Sequence, residues 1–186
     1  MTSQPGREAD GARWRLPAIG ALAAGVTAAI YAAGRLIQPD YTFSLLGADP
    51  IPLKSALATA ALALAGLQVL LALWLYRKLP LAAAPPRAVR PAHRITGAVL
   101  FALTVPVALH CLIAYGVQLG SPRVAVHSVA GCLFYGAFAA KVLAVHSRRL
   151  PGWLLPLAGG ILAVVIAVLW YTSALWYYNG YQLPHL

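Results

Sequence analysis

Five stretches of this chain run apolar for about twenty residues or more, and none of them contains Asp or Glu. They cover about 15–37, 52–76, 92–119, 123–146 and 152–178. Each is long enough to cross a hydrocarbon core, which takes ~20 residues as a helix. A backbone in lipid has no water to bond, so each run must satisfy its own N–H and C=O groups by becoming helical. The expected fold is therefore all-α: an integral membrane bundle of five transmembrane helices in a single domain over 15–178. The composition agrees. Of 186 residues, 61% are hydrophobic and 10% charged, and mean hydropathy is +0.74, which is too apolar for an ordinary soluble domain.

Residues 1–14 are polar and contain Gly and Pro. They lack the short apolar core of a cleavable signal peptide and read as a disordered cytoplasmic tail. Residues 179–186 form a short tail after the last run. Small residues within the runs (Gly20, Gly25, Gly97, Gly131, Gly136, Gly159, Gly160) suit close helix packing. Pro106 is expected to kink the third helix.

The net charge of +10 does not indicate nucleic acid, because the basic residues flank apolar runs, where membrane topology accounts for them. With the N-terminus inside, the cytoplasmic side holds Arg7, Arg13, Arg15, Arg77, Lys78, Arg87, Arg90, Arg94, Arg148 and Arg149; the outer side holds Arg35, Lys54 and Arg123. Lys141, near the end of the fourth run, can snorkel inward. This bias predicts an inner-membrane (plasma-membrane) multi-pass protein, N-terminus inside and C-terminus outside. The tail LWYTSALWYYNGYQ then forms an aromatic belt at the outer interface. The Pro-rich basic segment between the second and third runs is a cytoplasmic linker able to touch anionic lipid.

Four of the five histidines, His93, His110, His127 and His146, lie on the third and fourth runs; His185 is in the C-terminal tail. The turn GSPR joins those runs, so they are expected to be antiparallel neighbours in contact. The midpoint of His110 and His127 is 118.5 and that of His93 and His146 is 119.5, both beside the turn. Folding the hairpin brings the first pair level near the outer side and the second pair level near the inner side. The within-helix spacings are 17 and 19 residues, either side of the 18 that restores one face at 100° per residue. On antiparallel helices these offsets rotate the same way, so each pair can converge on a shared ligand. The pairs are roughly 25 Å apart along the helices.

Paired imidazoles at two depths are what one or two bis-His haems require, since haem iron takes neutral imidazole axially. Small neighbours leave room for a macrocycle: Ala108 and Ala114 near His110, Ala130 and Gly131 near His127, Gly97 and Ala98 near His93. Gln68 and Lys141 are candidates to hold a ligand histidine or a haem propionate. Ionisable groups deep in a membrane are functional by default, which favours His110 and His127. His93 and His146 sit at interfacial ends, where a histidine at a helix C-terminus is also stabilised by the helix dipole. A second reading uses His110, Cys111, His127 and Cys132 to handle copper or another metal, sulfur suiting Cu(I). It is weakened because Cys111 lies about 100° around the helix from His110. A third makes the chain a non-catalytic subunit or anchor of a respiratory complex, its histidines only joining helices. The lack of carboxylates within the runs argues against a proton-relay pump or a carboxylate-based transporter, and no residue identifies a substrate for catalysis.

The segments HRITG, PVALHCLIAYG, VHSVAGCLFYGAFAAK, LPGWLLPLAGG and LWYTSALW resemble a bacterial family of small membrane proteins known only as a domain of unknown function. The likeness spans about residues 50–178. It implies that His93, His110 and His127 belong to the family's motifs, while the place of His146 does not. At the level of fold alone the bundle is also similar to transmembrane b-type cytochromes of the b561 and ferric-reductase type, which implies haem and an unidentified redox partner.

Overall fold

The structure is a computed structural model that describes residues 5–40, 44–45, 47–79, 84–147 and 150–183, with side chains from Trp14 onward. Five helices are long and apolar enough to cross a membrane. They belong to α1 (Pro5–Leu36), α2 (Pro50–Leu75), α3 (Val89–His110), α4 (Pro122–His146) and α5 (Leu154–Trp170). A π turn, Cys111–Tyr115, prolongs α3, and a second, Tyr171–Leu175, joins α5 to a short α6 (Trp176–Tyr178). No strand is present among the described residues, only an isolated bridge between Leu45 and Ala48. The outer surface carries exposed apolar side chains such as Leu70, Ile95, Val145 and Val164. In water that surface would be untenable; against acyl chains it is the expected one.

The chain ends of these helices follow from local chemistry. Asp49 caps α2 by accepting a hydrogen bond from Ile51 N (3.0 Å), with Pro50 at the first helical position. Ser121 and Pro122 repeat this device at α4, the serine hydroxyl accepting from Val124 N. Two boundaries differ from expectation. α1 begins at Pro5 rather than near residue 15, so the described part of the 1–14 tail is helical: Pro5 can open a helix, and Glu8, Ala9, Ala12 and Arg13 extend one already formed in the membrane. Residues 1–4 lie outside the described residues. α3 passes through Pro106 to His110, and its π turn stops at Gly116, not at 119. Gly116 has φ +64°, and a Cβ there would meet the Gly34 carbonyl at 2.6 Å. That close approach lets Val117 N donate to Gly34 O (2.9 Å) and Asp40 N to Ala114 O (2.7 Å), clasping the end of α1 to the turn between α3 and α4.

The closest backbone pairings are α1–α4, α4–α5, α2–α3 and α2–α5. The expected α3–α4 contact exists, but aromatic side chains make it. Phe101 stacks on Phe138 with ring centroids 3.9 Å apart, and Tyr135 Oη donates to Thr104 O at 3.1 Å. Thus α2, α3, α4 and α5 close a four-membered ring, with α1 outside against α4. Ala65, Leu100, Phe134, Leu162 and Ile166 fill the ring at mid-height, at least one from each helix. Of the glycines named above, Gly136 makes the tightest helix contact: a Cβ on it would collide with Thr27 Oγ1 and the Ala23 carbonyl of α1. Gly20, Gly25, Gly131 and Gly160 face open space within 4 Å.

Candidate functional site

Above and below that apolar plug, the ring carries two polar layers, each drawing on α2, α3 and α4. The first contains Lys54 of α2, His110 of α3, His127 of α4 and Thr172 of the second π turn. His110 and Thr172, with Phe134, are the largest fully buried side chains among the described residues. Both π turns fall at this layer: one begins directly after His110 and the other contains Thr172. Such turns widen a helix and redirect side chains, and they concentrate at functional sites.

His127 is fixed by its neighbour. Its Nδ1 lies 2.9 Å from Thr172 Oγ1, and the same hydroxyl donates to Val168 O at 2.8 Å. A hydroxyl has one proton. With that proton on Val168 O, the threonine oxygen accepts from His127, so the imidazole carries its hydrogen on Nδ1 and keeps the Nε2 lone pair. Arg123 supports the arrangement, donating to Thr172 O (2.9 Å) while its guanidinium lies 3.8 Å above the Trp176 ring.

His110, 2% exposed, meets a different partner. Lys54 Nζ is 3.4 Å from its Nδ1, 3.8 Å from Cys111 Sγ and 4.2 Å above the Tyr115 ring. Adjacent on the chain, His110 and Cys111 nevertheless both reach this lysine. Arg123 stands one turn before His127 on α4 and bonds the same threonine residue, so cation and imidazole share Thr172. Sequence reading took Lys54 and Arg123 only as topology markers and passed over Thr172. A lysine at the third position of an apolar run, beside two prolines, was the available signal for Lys54.

The second layer contains Gln68 of α2, His93 and Thr96 of α3 and Lys141 of α4. Gln68 Nε2 donates to the backbone carbonyl of His93 (2.9 Å) and contacts Thr96 Oγ1, so it holds the helix and not the imidazole. His93 Nδ1 is buried with no hydrogen-bond partner. Lys141 of α4 reaches α5, its Nζ 3.8 Å from where a Cβ on Gly159 would stand. His146 is exposed, and its Nδ1–H donates to Val142 O of its own helix at 2.8 Å. His185 lies outside the described residues.

The cysteines separate. Cys132 is buried beside an apolar groove between α1, α4 and α5, near Thr27 and Val165. Among the described residues no three His, Cys, Asp or Glu side chains come together as metal donors. A four-ligand site from His110, Cys111, His127 and Cys132 is therefore not assembled.

A bis-His haem asks for less: two imidazoles, space beside them and cations for two carboxylates. With its proton on Nδ1, His127 would offer Nε2 to iron, and nothing lies within 4 Å of a Cβ built on Gly131, one turn along α4. At His110 the Lys54 ammonium at Nδ1 would have to turn to another acceptor before the ring could carry its proton there. The donor set of the first layer, two imidazoles with Lys54 and Arg123 beside them, thus suits the group. In the second, His93 offers an unpartnered nitrogen while His146 is bonded to its own helix.

No curated protein and no solved structure matches the chain, so the likeness to b561-type cytochromes gains nothing from these comparisons. A family model does match, over residues 14–185, and takes in α2–α5 and α1 from Trp14 onward. The chain belongs to that family, described as a family of unknown function, DUF6529.

Proposed function

We propose that this chain is an integral membrane b-type cytochrome that holds haem between His110 and His127 and passes electrons to a membrane-associated redox partner. The observation that carries the reading is the Val168–Thr172–His127 hydrogen-bond chain. An iron-binding histidine typically donates its other ring N–H to a protein acceptor, which sets tautomer and orientation. Here that acceptor is already in place, in the layer that also holds a buried second histidine. Haem, when bound, supplies a reversible one-electron iron couple. The chain's own residues orient the two imidazoles, keep water from them with the Phe134 plug on one side, and fix the proton on His127 Nδ1. The second layer supports a second haem less well, because His146 would have to leave Val142.

The topology proposed with this reading is N-terminus cytoplasmic and C-terminus outside, in the plasma membrane, from the distribution of Lys and Arg. The His110 layer then faces outward and the His93 layer inward.

One other reading has an observation in its favour. Both histidines of the first layer bond to neighbouring elements, Lys54 and Thr172, as histidines that merely join the helices of an anchoring subunit would. A visible absorption spectrum of the purified chain, expressed with ample haem, separates the two. A cytochrome gives a Soret band and sharp reduced α and β bands; an anchor gives none.

A further inference from the structure

Lys54 stands where it conflicts with iron ligation by His110. An ammonium has donors and no acceptor, so at 3.4 Å its N–H points at His110 Nδ1. The neutral ring then carries its proton on Nε2, the nitrogen that iron would need. For His110 to bind through Nε2, Nδ1 must be protonated and the ammonium must donate to something else. Arg123 stands one turn before His127 on α4 and bonds Thr172, the residue that also contacts His127. One of its nitrogens bonds Thr172 O and its plane lies on Trp176, which leaves further N–H groups for an acceptor.

Resting on the haem reading above, we propose that Lys54 and Arg123 bind the two haem propionates. The ligand class is thus a dicarboxylate macrocycle with its acidic edge turned toward this end of the bundle. A carboxylate beside Lys54 takes the ammonium's hydrogen bond and frees His110 Nδ1 to hold a proton. Binding of the acid edge and ligation by His110 are therefore coupled. A carboxylate buried near two cations avoids the desolvation cost it meets alone. The Tyr115 ring under Lys54 and the Trp176 ring under Arg123 keep both cations at this depth while no carboxylate is bound.

The test titrates the purified full-length chain, in detergent, with iron protoporphyrin IX and with its dimethyl ester, whose propionates are neutral. The wild type should bind the diacid at least about tenfold more tightly, the scale of a charge-assisted hydrogen bond lost. Lys54→Met and Arg123→Met should each shrink that preference and lower the haem midpoint potential, because removing a nearby cation favours the ferric state. Lys54→Arg should retain the preference. Equal wild-type affinity for diacid and diester, both with bis-His spectra, overturns the propionate assignment and leaves the haem reading standing. A folded Lys54→Met/Arg123→Met double variant that keeps the full preference does the same. Failure of the wild type to bind either compound overturns both. The diacid–diester comparison needs only wild-type protein, so a variant that misfolds does not remove the test.

Discussion

His127 Nδ1 and Thr172 Oγ1 lie 2.9 Å apart, although 45 residues separate them in the chain. The threonine's own proton goes to Val168 O, so this contact decides which nitrogen of His127 is available to a ligand. The π turn that follows α5, the neighbour of α4 in the ring, thereby orients an imidazole of α4.

Thr172→Val tests that control. Valine keeps the shape but cannot accept, and leaving the buried Nδ1–H unpaired costs about 1–3 kcal/mol. Haem affinity should fall roughly 10- to 100-fold, the usual effect of losing such a partner of a ligand. Thr172→Ser should behave nearly as wild type. Haem dissociation rates, measured by transfer to an apo-globin acceptor, report the difference.

The second layer predicts an asymmetry. His146 is exposed and turned to Val142, so His146→Ala should leave haem content and reduced spectrum unchanged. Haem quantified per chain should be near one for wild type. Two haems per wild-type chain, with one lost in His146→Ala, would show that His146 leaves its helix to serve His93.

Gly136 governs how α1 is held. A side chain there meets Thr27 and the Ala23 carbonyl, and overpacking of this kind costs about 1–3 kcal/mol. Gly136→Val should lower the thermal unfolding midpoint in detergent while the spectrum of bound haem stays the same, because α1 lies outside the ring that carries both layers.

The charge bias predicts topology. A reporter fused after Leu186 should be active only outside, and one inserted between α2 and α3, after Arg87, only in the cytoplasm. The reverse pattern would exchange the faces served by the His110 and His93 layers.

The sequence disclosed the parts of this structure that depend on length and register. Five apolar runs became five helices because lipid leaves the backbone no other option. Counting residues across GSPR put His110 and His127 on one level; the structure sets His110 against Lys54 and His127 against Thr172. What counting did not supply was the order of the ring. α3 meets α4 through Phe101, Phe138 and Tyr135, while its backbone packs on α2, and that choice depends on how side chains from several helices fill one space. Lys54 and Thr172 escaped notice for the same reason: their partners are 56 and 45 residues away. The π turns leave no signature in hydrophobic period. His146 was legible in position but not in rotamer, and its rotamer turns it back on Val142.

The central claim is that His110 and His127 ligate one haem, and reduced-minus-oxidised difference spectra of wild type, His110→Ala and His127→Ala test it most directly. All three should be expressed with haem in ample supply and compared at equal amounts of folded protein. The account predicts the sharp α band of a six-coordinate low-spin haem in wild type, and its disappearance in either variant, since each removes an axial nitrogen that no neighbour replaces. A wild type without haem absorbance, or variants that keep the wild-type α band, would contradict it.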